Sequence, residues 1–262
     1  MIEYLDVSPL KEPLIFDSHA HYYDERFDGV RDELLSQLPK HGVGGIINCG
    51  CDIKSSYEAL ALAEKYNYIY AAVGYHPENL EDELNLDEIA KMASHKKCVA
   101  IGEIGLDYYW SPEKSEEQKA AFEKQIILAK ELDIPIVVHD RDAHKDTLDI
   151  LLKYKPKGIL HSFSGSVEMA QEIIKLGMYI GIGGVVTFKN AKKLPDVVKV
   201  LPEDKFLLET DAPYLSPVPY RGKTNNSAMI YLTAEKIAEI RNCDTDSILK
   251  ASFNNAKKLF GI

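Results

Sequence analysis

The chain has 262 residues, with 41 acidic against 31 basic side chains and a net charge of −10. No apolar stretch approaches the roughly 20 residues of a membrane span, and the acidic balance argues against a protein that grips long nucleic-acid duplexes through many phosphates, although holding one strand end would need only a few contacts. The length suits one eight-stranded α/β barrel domain over residues 1–262, about 250 being typical, and Cys49, Cys51, Cys98 and Cys243 form no CxxC or zinc-ribbon spacing, which fits reduced thiols in a cytoplasm.

The N-terminus carries Glu3, Asp6, Lys11 and Glu12 with no apolar signal-type core, so an unexported protein is expected. The first apolar run, 14–18, leads into His19-x-His21. Strand side chains alternate faces, so two histidines one residue apart point the same way and can grip one metal ion. A second run, 44–49, brings Cys49 and Cys51 toward a strand end, where they read as small core or rim residues. Tyr57, Leu60, Ala61 and Ala63 then follow with helical spacing, and a run at 69–74 precedes His76-Pro77.

The fourth run, 98–102, ends in Glu103, with the aromatic group Tyr108, Tyr109 and Trp110 just beyond; such faces can stack a base or pack as a loop. Phe122, Ile126, Ile127 and Ala129 mark a helix before the fifth run, 134–139, which ends in His139. The sixth, 158–162, contains His161. After a seventh run at 177–183, the eighth, 205–210, leads to Glu209 and Asp211. Residues 225–260 read as two helices, the second from Asp244 through Ile248, Ala251, Phe253 and Leu259, expected to pack on the barrel exterior.

Eight nearly continuous apolar runs alternating with helices predict a parallel sheet covered on both faces, here a single (β/α)8 TIM barrel with an extra C-terminal helix. A barrel gathers the C-terminal ends of its strands on one rim, so His19, His21, Glu103, His139, His161 and Asp211 can meet there. An open doubly wound sheet would not unite its first, middle and last strands so readily, and no glycine fingerprint for a dinucleotide follows the first strand. Arg221 and Lys223, just past the eighth strand, could supply phosphate contacts.

The ordered segments Phe16-Asp17-Ser18-His19-Ala20-His21, Gly74-Tyr75-His76-Pro77, Gly102-Glu103-Ile104-Gly105-Leu106-Asp107, Pro135-Ile136-Val137-Val138-His139-Asp140-Arg141-Asp142-Ala143, His161-Ser162-Phe163-Ser164-Gly165, Leu208-Glu209-Thr210-Asp211-Ala212-Pro213 and Arg221-Gly222-Lys223 span nearly the whole chain. In these the sequence resembles the TatD-type metal-dependent deoxyribonucleases of the amidohydrolase superfamily. The resemblance implies two divalent metal ions, one on His19, His21 and Asp211, the other on His139 and His161, bridged by Glu103. A carboxylated-lysine bridge is disfavoured, because Glu103 occupies that position. Imidazole-rich ligation favours Zn, Mn, Fe or Co, with Mg possible during turnover.

It further implies a 3′–5′ exonuclease on single-stranded DNA or RNA, acting at 3′ ends through a two-metal-activated hydroxide, and a cytoplasmic monomer is expected. Asp211 would orient the nucleophile and take its proton. Glu209, two residues earlier and deeper on the same face, would orient a ligand or water, while His76 and Arg141 would contact phosphate together with Arg221. The rival readings are an acyl or carboxylic ester hydrolase such as a D-aminoacyl-tRNA deacylase, and a non-catalytic metal or nucleic-acid binding module. Departures from the family pattern, Tyr23, Lys145 and Asn226-Ser227, fall outside the ligand set and bear on substrate contacts and loop shape.

Overall fold

Eight parallel strands follow one another around a single sheet in chain order: β1 Ile15–Ala20, β2 Val43–Cys49, β3 Ile69–Val73, β4 Cys98–Asp107, β5 Ile136–Arg141, β6 Gly158–Leu160, β7 Tyr179–Ile182 and β8 Phe206–Leu208. The structure is a computed structural model describing residues 5–10, 12–80 and 84–262, so Glu3 and Lys11 lie outside the described residues. Helices α1 Arg31–Gln37, α2 Ile53–Lys65, α3 Leu86–Ala93, α4 Ser115–Glu131, α5 His144–Tyr154, α6 Val167–Lys175, α7 Leu194–Val200, α8 Ile230–Arg241 and α9 Thr245–Phe260 lie between and after the strands. No described helix is long and apolar enough to cross a membrane.

Local chemistry sets where the helices start. Asp52 accepts the Ser55 amide at 2.7 Å while the Ser55 hydroxyl accepts the Asp52 amide at 3.0 Å, a reciprocal cap that turns the chain from the β2 exit into α2. Ser166 and Asp244 cap α6 and α9 in the same way from one side.

The ring closes between β8 and β1 just beyond the strands proper. Ala20 and Ala212 form a parallel bridge, the Asp211 amide donates to the His19 carbonyl at 2.9 Å, and the His21 amide donates to the Ala212 carbonyl at 2.7 Å. Below this seam the buried Asp17 carboxyl takes the Thr210 hydroxyl and the Ser227 hydroxyl, each at 2.7 Å. Burial pushes Asp17 up to about 7 even though these hydrogen bonds pull it the other way.

Inside the barrel, Phe16, Ile47, Ala72, Ala100, Val137, Ile159, Tyr179 and Leu207 pack together, and α9 completes that core from below. The Phe16 ring meets Phe253 edge-on at 5.9 Å and stacks with Phe260 at 6.3 Å. This corrects the expectation that the terminal helix only covers the exterior. Ile248 and Leu249 do join the outer core, but the far end of α9 plugs the barrel.

A second correction concerns β4. It does not stop at residue 102 but runs to Asp107, pairing with β5 as far as Asp107 opposite Arg141. The apolar run ends at Glu103 because the strand, still buried, changes from apolar on both sides to alternating: Ile104 and Leu106 enter the outer core while Glu103 and Asp107 meet His139 on the other face. Gly105, at φ 147°, is required here, since a Cβ would overlap the His139 carbonyl on β5.

Candidate active site

Six side chains converge on the C-terminal rim, and Glu103 lies at their centre. Its Oε2 is 3.2 Å from His19 Nε2 and 3.6 Å from His21 Nε2, while its Oε1 is 2.8 Å from His139 Nδ1 and 2.9 Å from His161 Nε2. Asp211 completes the first half, its Oδ1 lying 3.6 Å from His19 Nε2 and 3.4 Å from His21 Nε2. One carboxylate thus divides its two oxygens between two sets of imidazoles.

The hydrogen-bond partners on the far side of each ring show what the near side offers. His21 Nδ1 donates to the Cys49 carbonyl at 2.8 Å; a carbonyl only accepts, so Nε2 presents a bare lone pair to the centre. His139 Nε2 donates to the Asp107 carboxylate at 3.0 Å, so its Nδ1 lone pair faces Glu103. Lone pairs aimed at carboxylate oxygens in a largely buried cluster need positive charge between them. With no cation there, a proton takes that place on His139 Nδ1: burial works against charging the ring, yet its hydrogen bonds with Asp107 and Glu103 raise it to about 9. Burial likewise works against ionising Glu103, but the imidazoles of His19, His161 and His76 keep it well below the usual carboxylate range. The donor set therefore fits divalent metal, with His19, His21 and Asp211 on one side of Glu103 and His139 and His161 on the other.

Backbone at two strand exits is bent to aim these groups. Ser162, beside His161, has φ 45° and Asp211 has φ 59°, left-handed values that cost roughly 1 kcal/mol or more outside glycine. The Ser162 amide, held in that turn, donates to Glu209 Oε1, and the Ser18 hydroxyl lies 3.5 Å from Glu209 Oε2. Gly181 leaves room for this buried carboxylate, which stands 3.6 Å from His161 Nδ1 and steadies that ring from below.

The mouth is a cavity of about 1130 Å³ that contains His76, Trp110 and Arg141 in its walls. His76 Nδ1 accepts the Glu78 amide at 3.2 Å, so its Nε2 carries the hydrogen and points inward, 3.6 Å from Glu103 Oε1. The Arg141 guanidinium lies over the Tyr109 ring at 4.1 Å and the Trp110 ring at 5.5 Å. Of the aromatic group after β4, Trp110 reaches the cavity, whereas the Tyr108 hydroxyl donates to Asp146 at 2.9 Å.

Arg221, expected to contact phosphate, has its guanidinium over the Phe188 ring at 4.1 Å and is not among the residues of the cavity wall. Lys192 and Lys193, which the sequence reading passed over, line the cavity instead. Asp107 was missed as well, although its position four residues after Glu103 on one strand face was the available signal. Cys49 lies in the barrel core as expected, while Cys51 comes to the rim, its Sγ 4.0 Å from Glu103 Oε2 and 3.3 Å from the Tyr23 hydroxyl.

The model of the TatD related DNase family matches residues 16–261. The chain belongs to that family. It is 42% identical over 254 residues to the uncharacterized metal-dependent hydrolase YabD of Bacillus subtilis, covering 95% of this chain and 100% of that one. It is 34% identical to YcfH of Escherichia coli, an uncharacterized metal-dependent hydrolase, over 95% of this chain and 96% of the other. The crystal structure of the Escherichia coli TatD homologue YjjV superimposes with a TM-score of 0.89 at 32% identity, covering 95% and 99% of the two chains. This family member is thus a TIM barrel with a His, Glu and Asp cluster built to hold metal.

Proposed function

We propose that the protein is a metal-dependent hydrolase that removes nucleotides from the 3′ end of single-stranded DNA, and of RNA by the same chemistry. The observation that carries the reading is the division of Glu103 between the His19, His21, Asp211 group and the His139, His161 group. The family description and the naming of YabD and YcfH as metal-dependent hydrolases support it. Two bound divalent ions would lower the pKa of a water and neutralise the charge that grows on a phosphoryl oxygen.

The chain's own residues do the rest. Asp211 has the most open carboxylate of the ligand set, 21% exposed, and it orients the attacking water and accepts its proton. His76 is kept neutral, pushed down to about 3 by burial and by the neighbouring His139, and its Nε2 hydrogen is available to a phosphate oxygen. Arg141, braced on Tyr109, offers a second donor set to the same phosphate. The water oxygen forms a new bond to phosphorus as the P–O3′ bond breaks; the proton reaches the departing O3′, leaving a shortened strand with a 3′ hydroxyl and a 5′-mononucleotide.

Digestion of a 5′-labelled single-stranded oligonucleotide with free or blocked 3′ ends, beside His19→Ala, tests this. A ladder shortening from the free 3′ end and lost in the variant is the expected result. No variant-sensitive cleavage by a protein loaded with two metal ions overturns the reading and turns attention to acyl esters and aminoacyl-tRNA.

A further inference from the structure

The charges around the mouth are sorted by position. The loops after β1, β2 and β3 contribute Asp24, Asp52 and Glu78 to the cavity wall, whereas the end of β5 and the loop after β7 contribute Arg141, Lys192 and Lys193. Because the strands follow chain order around the barrel, these are two different arcs of one rim. Among the described residues no lysine or arginine pairs with the three acids, and no carboxylate pairs with the three cations within 4 Å. Elsewhere on the surface Lys65, Lys91, Lys145 and Lys157 each hold a carboxylate at 2.6 to 2.9 Å. Asp140, the acid of the cavity wall on the cationic side, is tied to His144 at 2.8 Å, and Arg26, near Asp24, lies over the ring of the wall residue Tyr214 without lining the cavity itself. The mouth is therefore polarised in a chain whose net charge would otherwise repel a polyanion throughout.

Resting on the exonuclease reading, we propose that the phosphates of the retained strand leave the metal centre over Lys192 and Lys193, next to Arg141, and that the acidic arc admits only a nucleoside that carries no further phosphate. A 3′-terminal nucleotide meets that condition, since the scissile phosphate is the last one in the chain. An internal linkage does not, because the strand beyond it would have to run out across Asp24, Asp52 and Glu78. End selection is then electrostatic, and the two lysines act as positioning residues for the strand upstream of the bond that breaks.

The test uses the manganese-loaded enzyme, a short 5′-labelled single strand and its analogues with a neutral methylphosphonate at the second or third linkage from the 3′ end. In the wild type each neutral linkage raises KM about fivefold to tenfold. In K192Q/K193Q the KM for the all-phosphate strand rises about tenfold with little change in kcat, a neutral linkage adds no further penalty, and the slope of log KM against log salt falls by roughly 1.4, about 0.7 for each lost phosphate contact. K192R/K193R restores KM, and a 3′-phosphorylated strand is cut at least about tenfold more slowly than its 3′-hydroxyl form by every variant. A double glutamine variant with wild-type KM and salt slope, or one still penalised in full by methylphosphonate, overturns the inference. An enzyme that hydrolyses bis(4-nitrophenyl) phosphate but shortens no oligonucleotide overturns the exonuclease reading itself.

Discussion

Asp107 Oδ2 accepts the Nε2 hydrogen of His139 at 3.0 Å, and its other oxygen takes the amides of Tyr109 and Trp110 at 3.0 and 2.9 Å. One carboxylate thus fixes the tautomer of a metal-facing imidazole and the start of the loop that carries Trp110. Replacing Asp107 by Asn keeps an acceptor but loses the charge that makes the imidazole a stronger base; Ala loses both. Metal affinity measured by chelator competition is expected to fall about tenfold in D107N and approach a hundredfold in D107A. Unchanged affinity in D107A would show that His139 needs no such partner.

Asp211→Asn preserves the shape of the side chain while removing its capacity to take a proton. In the proposed exonuclease, kcat is expected to fall by roughly a factor of 10² to 10⁴ with a smaller change in KM. Metal content by elemental analysis separates loss of the base from loss of the ion, because His19, His21 and Glu103 remain around that position. Wild-type kcat in a fully loaded variant would exclude Asp211 as the proton acceptor.

His144 opens α5, where a positive charge meets the unfavourable end of the helix dipole, yet the Asp140 carboxylate at 2.8 Å raises its pKa above the ordinary 6.5. A folded value above the unfolded one contributes stability that is fully present below about pH 6.5 and is lost as pH rises through the folded value. The imidazole is about one-third exposed, so solvent screening holds the contribution near 0.5 kcal/mol. Urea titrations are expected to place H144Q below the wild type at about pH 5.5 and level with it near pH 9. The opposite pH trend would rule out the ion pair.

Phe260 is 6% exposed and stacks on Phe16 in the barrel interior. Truncation to Ala leaves a cavity beneath the strands, with an expected loss of about 3 kcal/mol in chemical denaturation. A loss below about 1 kcal/mol would mean that α9 covers the barrel without supporting it.

The eight strands were legible because parallel strands buried on both faces read as unbroken apolar runs, and their ends pointed to His19, Glu103, His139, His161 and Asp211. Asp107 escaped because an apolar run stops at the first charge, even where the strand continues through it. The plug formed by Phe253 and Phe260 escaped for a different reason: helical periodicity reveals that a face is buried, not what buries it. Arg221 and Lys192 show the same limit in loops. Closeness to a strand end does not settle whether a flexible cation turns toward the mouth or onto a nearby ring such as Phe188.

The β1–β8 seam has a consequence for how the molecule comes apart. Its backbone pairing among the described residues is a single bridge with flanking hydrogen bonds at 2.9 and 2.7 Å, reinforced by side-chain bonds between Thr210 and Asp17 and from Ser18 to Leu208, and His19 and His21 stand on one side of it and Asp211 on the other. An ion held by all three is a clasp across the junction with the least strand pairing in the ring. Opening the seam and releasing that ion become one event, and saturating metal at a thousandfold above its dissociation constant would resist it by about 4 kcal/mol. Amide exchange at His21 and Asp211 would then report metal occupancy, slowing as the clasp closes and quickening under a chelator while the opposite side of the barrel keeps its protection.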